Sequence, residues 1–224
     1  MQNNEVNIWE SVSDLMTGMM MIFLFISLAF MLEMTMITEN FYSVKSQIVA
    51  DLTKEFPPHE LEEMHAEIDP KDGTISFTAD GTALFDVRAE QPSMEYRKIL
   101  NNFFPRYINI LSQEKYKGQI AEIRIEGHAS VEATENRDDQ RTYFYNMSLS
   151  QNRARNVMEY VMRMPIYQDK VYQDWLKKYI TANGYSFSKS SGDAQKDRRV
   201  DFRVMLHTEE TLEKVHNELS YTGQ

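Results

Sequence analysis

Leu15–Leu32 reads LMTGMMMIFLFISLAFML, eighteen residues without a charge. At about 1.5 Å per helical residue the run covers about 27 Å, close to the roughly 30 Å hydrocarbon core of a bilayer. Extended back to Ile8 it gives a full span with some tilt. Trp9 then falls at one interface and Phe41-Tyr42 beyond the other, where amphipathic aromatics prefer to lie. A cleaved signal peptide wants a basic leader, a shorter apolar core and a small-residue cleavage site. Here the first Lys or Arg is Lys45, and no A-x-A-like site follows the run. The reading is a retained single span over residues 9–37, after a short tail of residues 1–8.

The rest of the 224-residue chain has a different composition. Mean hydropathy is -0.52, yet eight of the 15 Met residues precede residue 37, so the apolar content sits at one end. A net charge of -10 argues against nucleic acid, because phosphate contacts need clustered positive charge. The absence of cysteine removes disulfides, thiolate catalysis and Cys-based metal sites. The histidines at 59, 65, 128, 207 and 216 form no H-E-x-x-H pattern, and neither a nucleophile–base pair nor a phosphate loop is visible. The expectation is a non-enzyme without metal or cofactor.

Asp14 precedes the apolar run by one residue, and Asp14, Thr17, Gly18 and Met21 share one helix face. A carboxylate in a span normally faces a protein interior or a water-filled path. Small Gly18 and Thr17 let a second helix approach closely. Two readings of Asp14 stand side by side: an ion carrier, or a side chain that snorkels to the near interface. With Lys45 the only nearby base, the positive-inside rule barely orients the span.

Beyond it, residues 38–63 read as a short helical stalk. Ile48, Val49, Leu52 and Phe56 keep helical spacing, and Pro57-Pro58 stops the helix. Asp72-Gly73 then turns into a strand at Thr74–Phe77. A helix follows Pro92, with Tyr96, Ile99, Leu100, Phe103 and Phe104 on one face and an interruption expected at Pro105. Ala121–Gly127 alternates, with Ile123 and Ile125 on one face and Glu122, Arg124 and Glu126 on the other. A helix is expected from Leu149, a short strand at Ile180–Tyr185, a polar loop at Asp193–Arg199 and a strand around Val200–Leu206. Thr208–Glu218 reads as a polar helical or disordered tail. The fold class is α+β: one N-terminal transmembrane helix and short stalk, an α/β sandwich over 64–207 with a mixed sheet and helices on one face, and a tail of 208–224.

Two resemblances sharpen this reading. Ser13-Asp14-Leu15-Met16-Thr17-Gly18-Met19-Met20, followed by Ile22-Phe23-Leu24, resembles the span of the MotB-like stator B subunits, in which the aspartate carries the ion; by resemblance that role falls on Asp14, with Thr17 beside it. Ser13 stands where the family has alanine, and Glu5 and Glu10 stand in a short leader that is usually longer and basic. Ile125-Glu126-Gly127-His128-Ala129, Asn146–Ala154 with Val157 and Tyr160, and Arg198-Arg199-Val200-Asp201-Phe202 together resemble the OmpA-like peptidoglycan-binding domain.

Peptidoglycan stem peptides carry free carboxylates and, in many bacteria, the zwitterionic end of diaminopimelate. An arginine can fork onto a carboxylate through two parallel hydrogen bonds. The resemblance makes Arg153 the main carboxylate ligand, Asn146 and Leu149 the pocket walls, and Arg199 a close neighbour. Asn146 and Ser150 are expected to offer neutral hydrogen bonds, helix N-terminal amides near Leu149 and Ser150 an anion site, and Tyr143 or Tyr145 a stacking surface. His128 reads as a structural hydrogen bonder. The family's aspartate two residues after the histidine is Ser130 here; Glu132, Glu135 and Asp138, in an insertion over Glu132–Phe144, are the acidic replacements.

The resemblance implies a peptidoglycan-anchored B subunit of an ion-motive-force motor: a homodimer inside a pentameric ring of MotA-like or ZorA subunits, single-pass in the inner membrane, N-terminus cytoplasmic, C-terminal domain periplasmic. The short leader, short stalk and Tyr-Asn-Met-Ser-Leu-Ser form of the wall motif favour the B subunits of Zorya anti-phage defence over the flagellar type. A passive wall anchor is the further alternative, and Asp14 with its flanking motif separates it from a motor.

Overall fold

The computed structural model describes residues 2–79, 84–86, 89–130, 140–167, 169–207 and 209. The chain forms two compact units, Met1–Ser43 and Val44–Gln224. The first consists of the N-terminal part of helix α1, which runs Gln2–Glu55. By length and composition α1 can cross a membrane, with a mean hydropathy of 2.3 over its most apolar 18 residues. From Leu15 to Leu32 its large apolar side chains are exposed, Phe23 at 72%. None of the described residues covers them.

The second unit begins at Val44, so the last turns of α1 belong to it. The apolar spacing explains this: Ile48, Leu52 and Phe56 are fully buried. Arg106 pins the same turns by donating to Glu55 Oε1 and Glu60 Oε2, each at 2.8 Å, and to the Glu55 carbonyl at 2.6 Å. Pro57 and Pro58 end α1 and start α2 (Pro58–Glu63). Strands β1 (Ala66–Ile68) and β2 (Ile75–Thr78) follow, then α3 (Met94–Leu111), β3 (Ile120–Gly127), α4 (Gln140–Met162), α5 (Lys170–Tyr179), β4 (Ile180–Gly184), α6 (Ala194–Asp197) and β5 (Arg199–Leu206).

The strands form one mixed sheet in the order β1-β2-β5-β3-β4, with β3 and β4 parallel and the other pairs antiparallel. The register places Ile75 and Ile125 opposite Phe202, and Ile123 opposite Val204 and Ile180. Side chains alternate across a sheet, so these residues make one apolar face. The buried face of α3 supplies its cover: Phe103 packs against Phe77, Tyr107 and Phe202, ring centroids 4.9–5.1 Å apart, and against Phe56 at 5.2 Å. Ala154, Val157 and Val161 of α4 are also fully buried.

Several sequence expectations need correction. Helix α3 is not interrupted at Pro105. The missing N–H removes one intrahelical bond, and burial of Phe103 and Phe104 before it and Tyr107 and Ile108 after it outweighs that loss. Asp193–Arg199 is not all loop: the Asp193 carboxylate accepts from Gln195 N and caps the short α6. Glu126, expected on the polar face of its strand, is buried, and so is Asp201. Most important for the site, α4 starts at Gln140, so Leu149 and Ser150 lie in its interior. Their amides belong to the helix ladder, and the expected helix-terminal anion site does not exist there.

Two glycines press α4 onto the sheet. A Cβ at Gly127 would lie 2.2 Å from the Ser150 carbonyl oxygen, and one at Gly184 would lie 2.5 Å from Gln151 N. The Gln151 side chain ties the same junction, donating to the Ala182 carbonyl at 3.0 Å and accepting from Gly184 N at 2.7 Å.

Phe103 is the hub of the aromatic core. Phe103→Ala is expected to destabilise the second unit by about 3–5 kcal/mol, the range for a fully buried Phe truncated to Ala. Chemical unfolding of the full chain in detergent measures this; a loss below about 1 kcal/mol contradicts the packing described.

Candidate functional site

Helix α4 presents Tyr145, Leu149, Asn152, Arg153 and Asn156 at three- and four-residue spacing, hence along one side. The side chains of Asn152, Arg153 and Asn156 stitch the Ala89-Glu90 segment to this side. Asn152 Nδ2 donates to Glu90 Oε1 at 2.8 Å, Arg153 Nε to the Ala89 carbonyl at 3.1 Å, and Asn156 Nδ2 to the Glu90 carbonyl at 3.0 Å. The Arg153 guanidinium also stacks on Phe85, its central carbon 4.6 Å from the ring centroid. Phe85 is held in turn by a bridge to Pro92, next to the Ser93 cap of α3.

This fixes Arg153 at Nε and over one face, while its two terminal nitrogens have no partner among the described residues. Burial pulls its pKa below the ordinary arginine range. Tyr145 and Glu90 oppose that shift, and the charge of Arg198 adds to it. A partly desolvated cation with a second cation nearby is stabilised by an incoming anion, and the two open nitrogens offer the bidentate geometry a carboxylate takes.

Arg199 is not part of this arrangement. It belongs to the strand-face set of Asp201 and Arg203, opposite the apolar face that carries Val200 and Phe202. Its Nε donates to Asp201 Oδ2 at 3.1 Å, and its terminal nitrogens donate to the Lys196 and Lys189 carbonyls at 3.4 and 3.5 Å. Arg198, one residue earlier, is the cation whose field reaches Arg153. The same alternation that makes β5 legible as a strand separates Arg199 from α4.

On that polar face, Glu126, His128 and Asp201 hold their ligand atoms within 4.8 Å of one another, all buried. His128 Nε2 lies 3.0 Å from Asp201 Oδ2 and 3.8 Å from Glu126 Oε2, and the imidazole stacks on Tyr185 at 5.3 Å and 7°. The donor chemistry is that of a cation site, but protein cations already occupy the carboxylates. Lys189 Nζ is 3.3 Å from Glu126 Oε2, and Arg199 neutralises Asp201. Burial pushes the Asp201 carboxyl up, yet His128 and Arg199 outweigh it and hold its pKa below the ordinary value. This cluster locks the β3 and β5 ends together, and His128 N donates to the Arg199 carbonyl at 3.0 Å in the same place.

Asn146 and Ser150 are buried and used within the fold. Asn146 Nδ2 donates to the Thr142 carbonyl at 3.1 Å; Ser150 Oγ donates to the Met147 carbonyl and accepts from Ser186 N, both at 3.0 Å. Leu149 is half-buried and Tyr145 is 54% exposed on the side that carries Arg153. Tyr143 is spent on Phe187, 5.6 Å away edge to face. Ser130 ends a described segment; Glu132, Glu135 and Asp138 lie outside the described residues, as does most of the 208–224 tail. Sequence reasoning missed Phe85, Ala89 and Glu90, which stand more than sixty residues before Arg153 and carry no pattern tied to it.

In the first unit, Asp14 is the sole ionisable residue between Glu10 and Glu33. It is exposed and has no partner among the described residues, while Thr17 Oγ1 donates back to the Ser13 carbonyl at 2.8 Å. A Cβ at Gly18 would meet no atom within 4 Å.

No family profile matches the chain. A MotB-like protein from Desulfovibrio vulgaris aligns over 74% of this chain and 96% of its own at 17% identity, with a TM-score of 0.47. The Zorya protein ZorB of Escherichia coli O139:H28 is 26% identical, over 88% of this chain and 80% of its own. The Zorya protein ZorB of Escherichia coli strain Crooks is 35% identical, over 97% of this chain and 94% of its own. An alignment of that identity spanning both chains nearly from end to end places this protein in the ZorB family.

Proposed function

We propose that this chain is the peptidoglycan-anchored B subunit of a proton-driven inner-membrane motor of the Zorya anti-phage defence system, with Asp14 as the ion carrier and Thr17 beside it. The observation that carries the reading is one carboxylate, without a partner among the described residues, at the head of an apolar helix that none of them covers, in a ZorB-family chain. A carboxylate at that place is unfavourable in lipid and is kept where a protein interior or water path receives it. Residues 9–37 cross the membrane, residues 38–63 form the stalk region, residues 64–207 bind the wall and residues 208–224 form a tail. The N-terminus is cytoplasmic and the C-terminal domain periplasmic.

One span encloses no path, so partners complete it: a homodimer inside a pentameric ring of ZorA subunits. Gly18 and the exposed apolar side chains of α1 suit close helix packing in that ring. At the other end of the chain, the open Arg153 fork suits a stem-peptide carboxylate, with Leu149 and Tyr145 beside it and Arg198, in place of Arg199, as the second cation.

Arg153→Ala is expected to weaken binding to isolated sacculi by about tenfold or more, the loss of a charge-assisted contact of about 1.5–3 kcal/mol. Co-sedimentation with sacculi measures it, and unchanged binding by a folded variant places the wall site elsewhere.

Asp14→Asn keeps the shape and hydrogen-bonding ability of the side chain and removes the titratable proton. Insertion is expected to be unharmed, since an ionisable carboxylate in a span is unfavourable and Asn removes its charge. The variant assembles with its partner, binds sacculi and loses phage protection. Full protection by a normally assembled variant refutes the ion-carrier role and leaves a passive anchor.

A further inference from the structure

We infer that Glu90 is the second pole of the Arg153 site: its carboxylate receives the ammonium of a zwitterionic ligand whose own carboxylate docks on the Arg153 guanidinium. The inference rests on the reading that this edge of the second unit binds peptidoglycan stem peptide, and it names the part of the peptide that is read.

Opposite charges that lie close together on a protein surface ordinarily pair. Arg153 and Glu90 feel each other's charge, but no ion pair joins them. Each is held by something else. Arg153 is fixed by the Ala89 carbonyl and the Phe85 ring, and Glu90 by Asn152, whose amide takes Oε1. Among the described residues this leaves the two terminal nitrogens of Arg153 and Oε2 of Glu90 without partners. The Glu90 backbone is fixed as well, through Asn156. A cation fork and an anion are thus anchored to one side of one helix, each with open valence.

The ligand chemistry follows from the charges. A plain anion gains Arg153 and the field of Arg198 but meets repulsion from Glu90. A plain cation meets the reverse. A ligand end that carries ammonium and carboxylate on one carbon satisfies both poles, and the free end of diaminopimelate in a stem peptide is such a group. Ser130 offers no charge for this purpose, and Glu90 comes from a different part of the chain, the segment before α3.

The test uses the full chain in detergent and isothermal titration with two probes. One is the tripeptide L-Ala-γ-D-Glu-meso-diaminopimelate; the other is its analogue lacking the terminal amino group but keeping the carboxylate. Glu90→Gln preserves the acceptor for Asn152 and removes the charge. It is expected to weaken the zwitterionic tripeptide by about tenfold, the loss of one charge-assisted contact, and to strengthen the deaminated analogue, which no longer meets the repulsion of Glu90. Glu90→Asp is expected to keep part of the preference. If Glu90→Gln binds both probes as the wild type does while Arg153→Ala loses sacculus binding, the inference is overturned and the wall-binding reading stands. Equal weakening for both probes also overturns it. If the wild type binds neither the tripeptides nor sacculi, the wall-binding reading falls with it.

Discussion

Everything functional in the second unit depends on how closely α4 can approach the sheet. At Gly127 and Gly184 the helix backbone comes so near that a single added carbon would overlap it. Glycine is needed there for its missing side chain, and the contact sets the height and rotation of α4 over β3 and β4. Gln151 then bonds the end of β4, and Asn152, Arg153 and Asn156 fall where they can reach Ala89 and Glu90. A bulkier residue at either glycine would lift the helix and separate the guanidinium from the segment that fixes it.

The two buried charge systems of this unit do different work. The cluster of Glu126, His128, Asp201, Lys189 and Arg199 is internally neutralised and ties strand ends together. The Arg153 edge is the opposite case, a cation held firmly by neutral groups and left without a counter-ion among the described residues. Buried charges are tolerated when paired and hydrogen-bonded. An arginine that is partly desolvated and unpaired is therefore the better marker of a ligand site. In the first unit the same logic applies to Asp14, a carboxylate that has no partner among the described residues, beside an exposed apolar run. Both units thus carry a charge whose natural complement is absent among the described residues.

The span, the helix stop at Pro57-Pro58 and the central strands were legible because each has a strong local period or a breaker. Strand β1, of three residues, has too little pattern to stand out, whereas helix α5 is strongly amphipathic and was readable in principle. The start of α4 was misplaced because the wall motif at Asn146 resembles a helix opening, whereas the helix begins at Gln140. The position of Arg199 was readable in principle: counting parity from Val200 and Phe202 puts it on the far face. The cap at Asp193 was also visible as a residue type. Glu90 was not readable, since only the folded chain brings it to Arg153. Membership of the ZorB family, by contrast, rests on similarity along nearly the whole chain and agrees with a resemblance first drawn from about twenty residues of the span and three short wall-domain segments.

The central claim is that this chain supplies one carboxylate to an ion path that other subunits complete. Proton flux in liposomes tests it most directly, comparing vesicles that hold this chain alone with vesicles that hold it together with the proposed ZorA partner. The account predicts flux above background only in the second set. Flux through the lone chain would contradict it, because a single exposed helix would then be conducting without the partners its uncovered apolar surface requires.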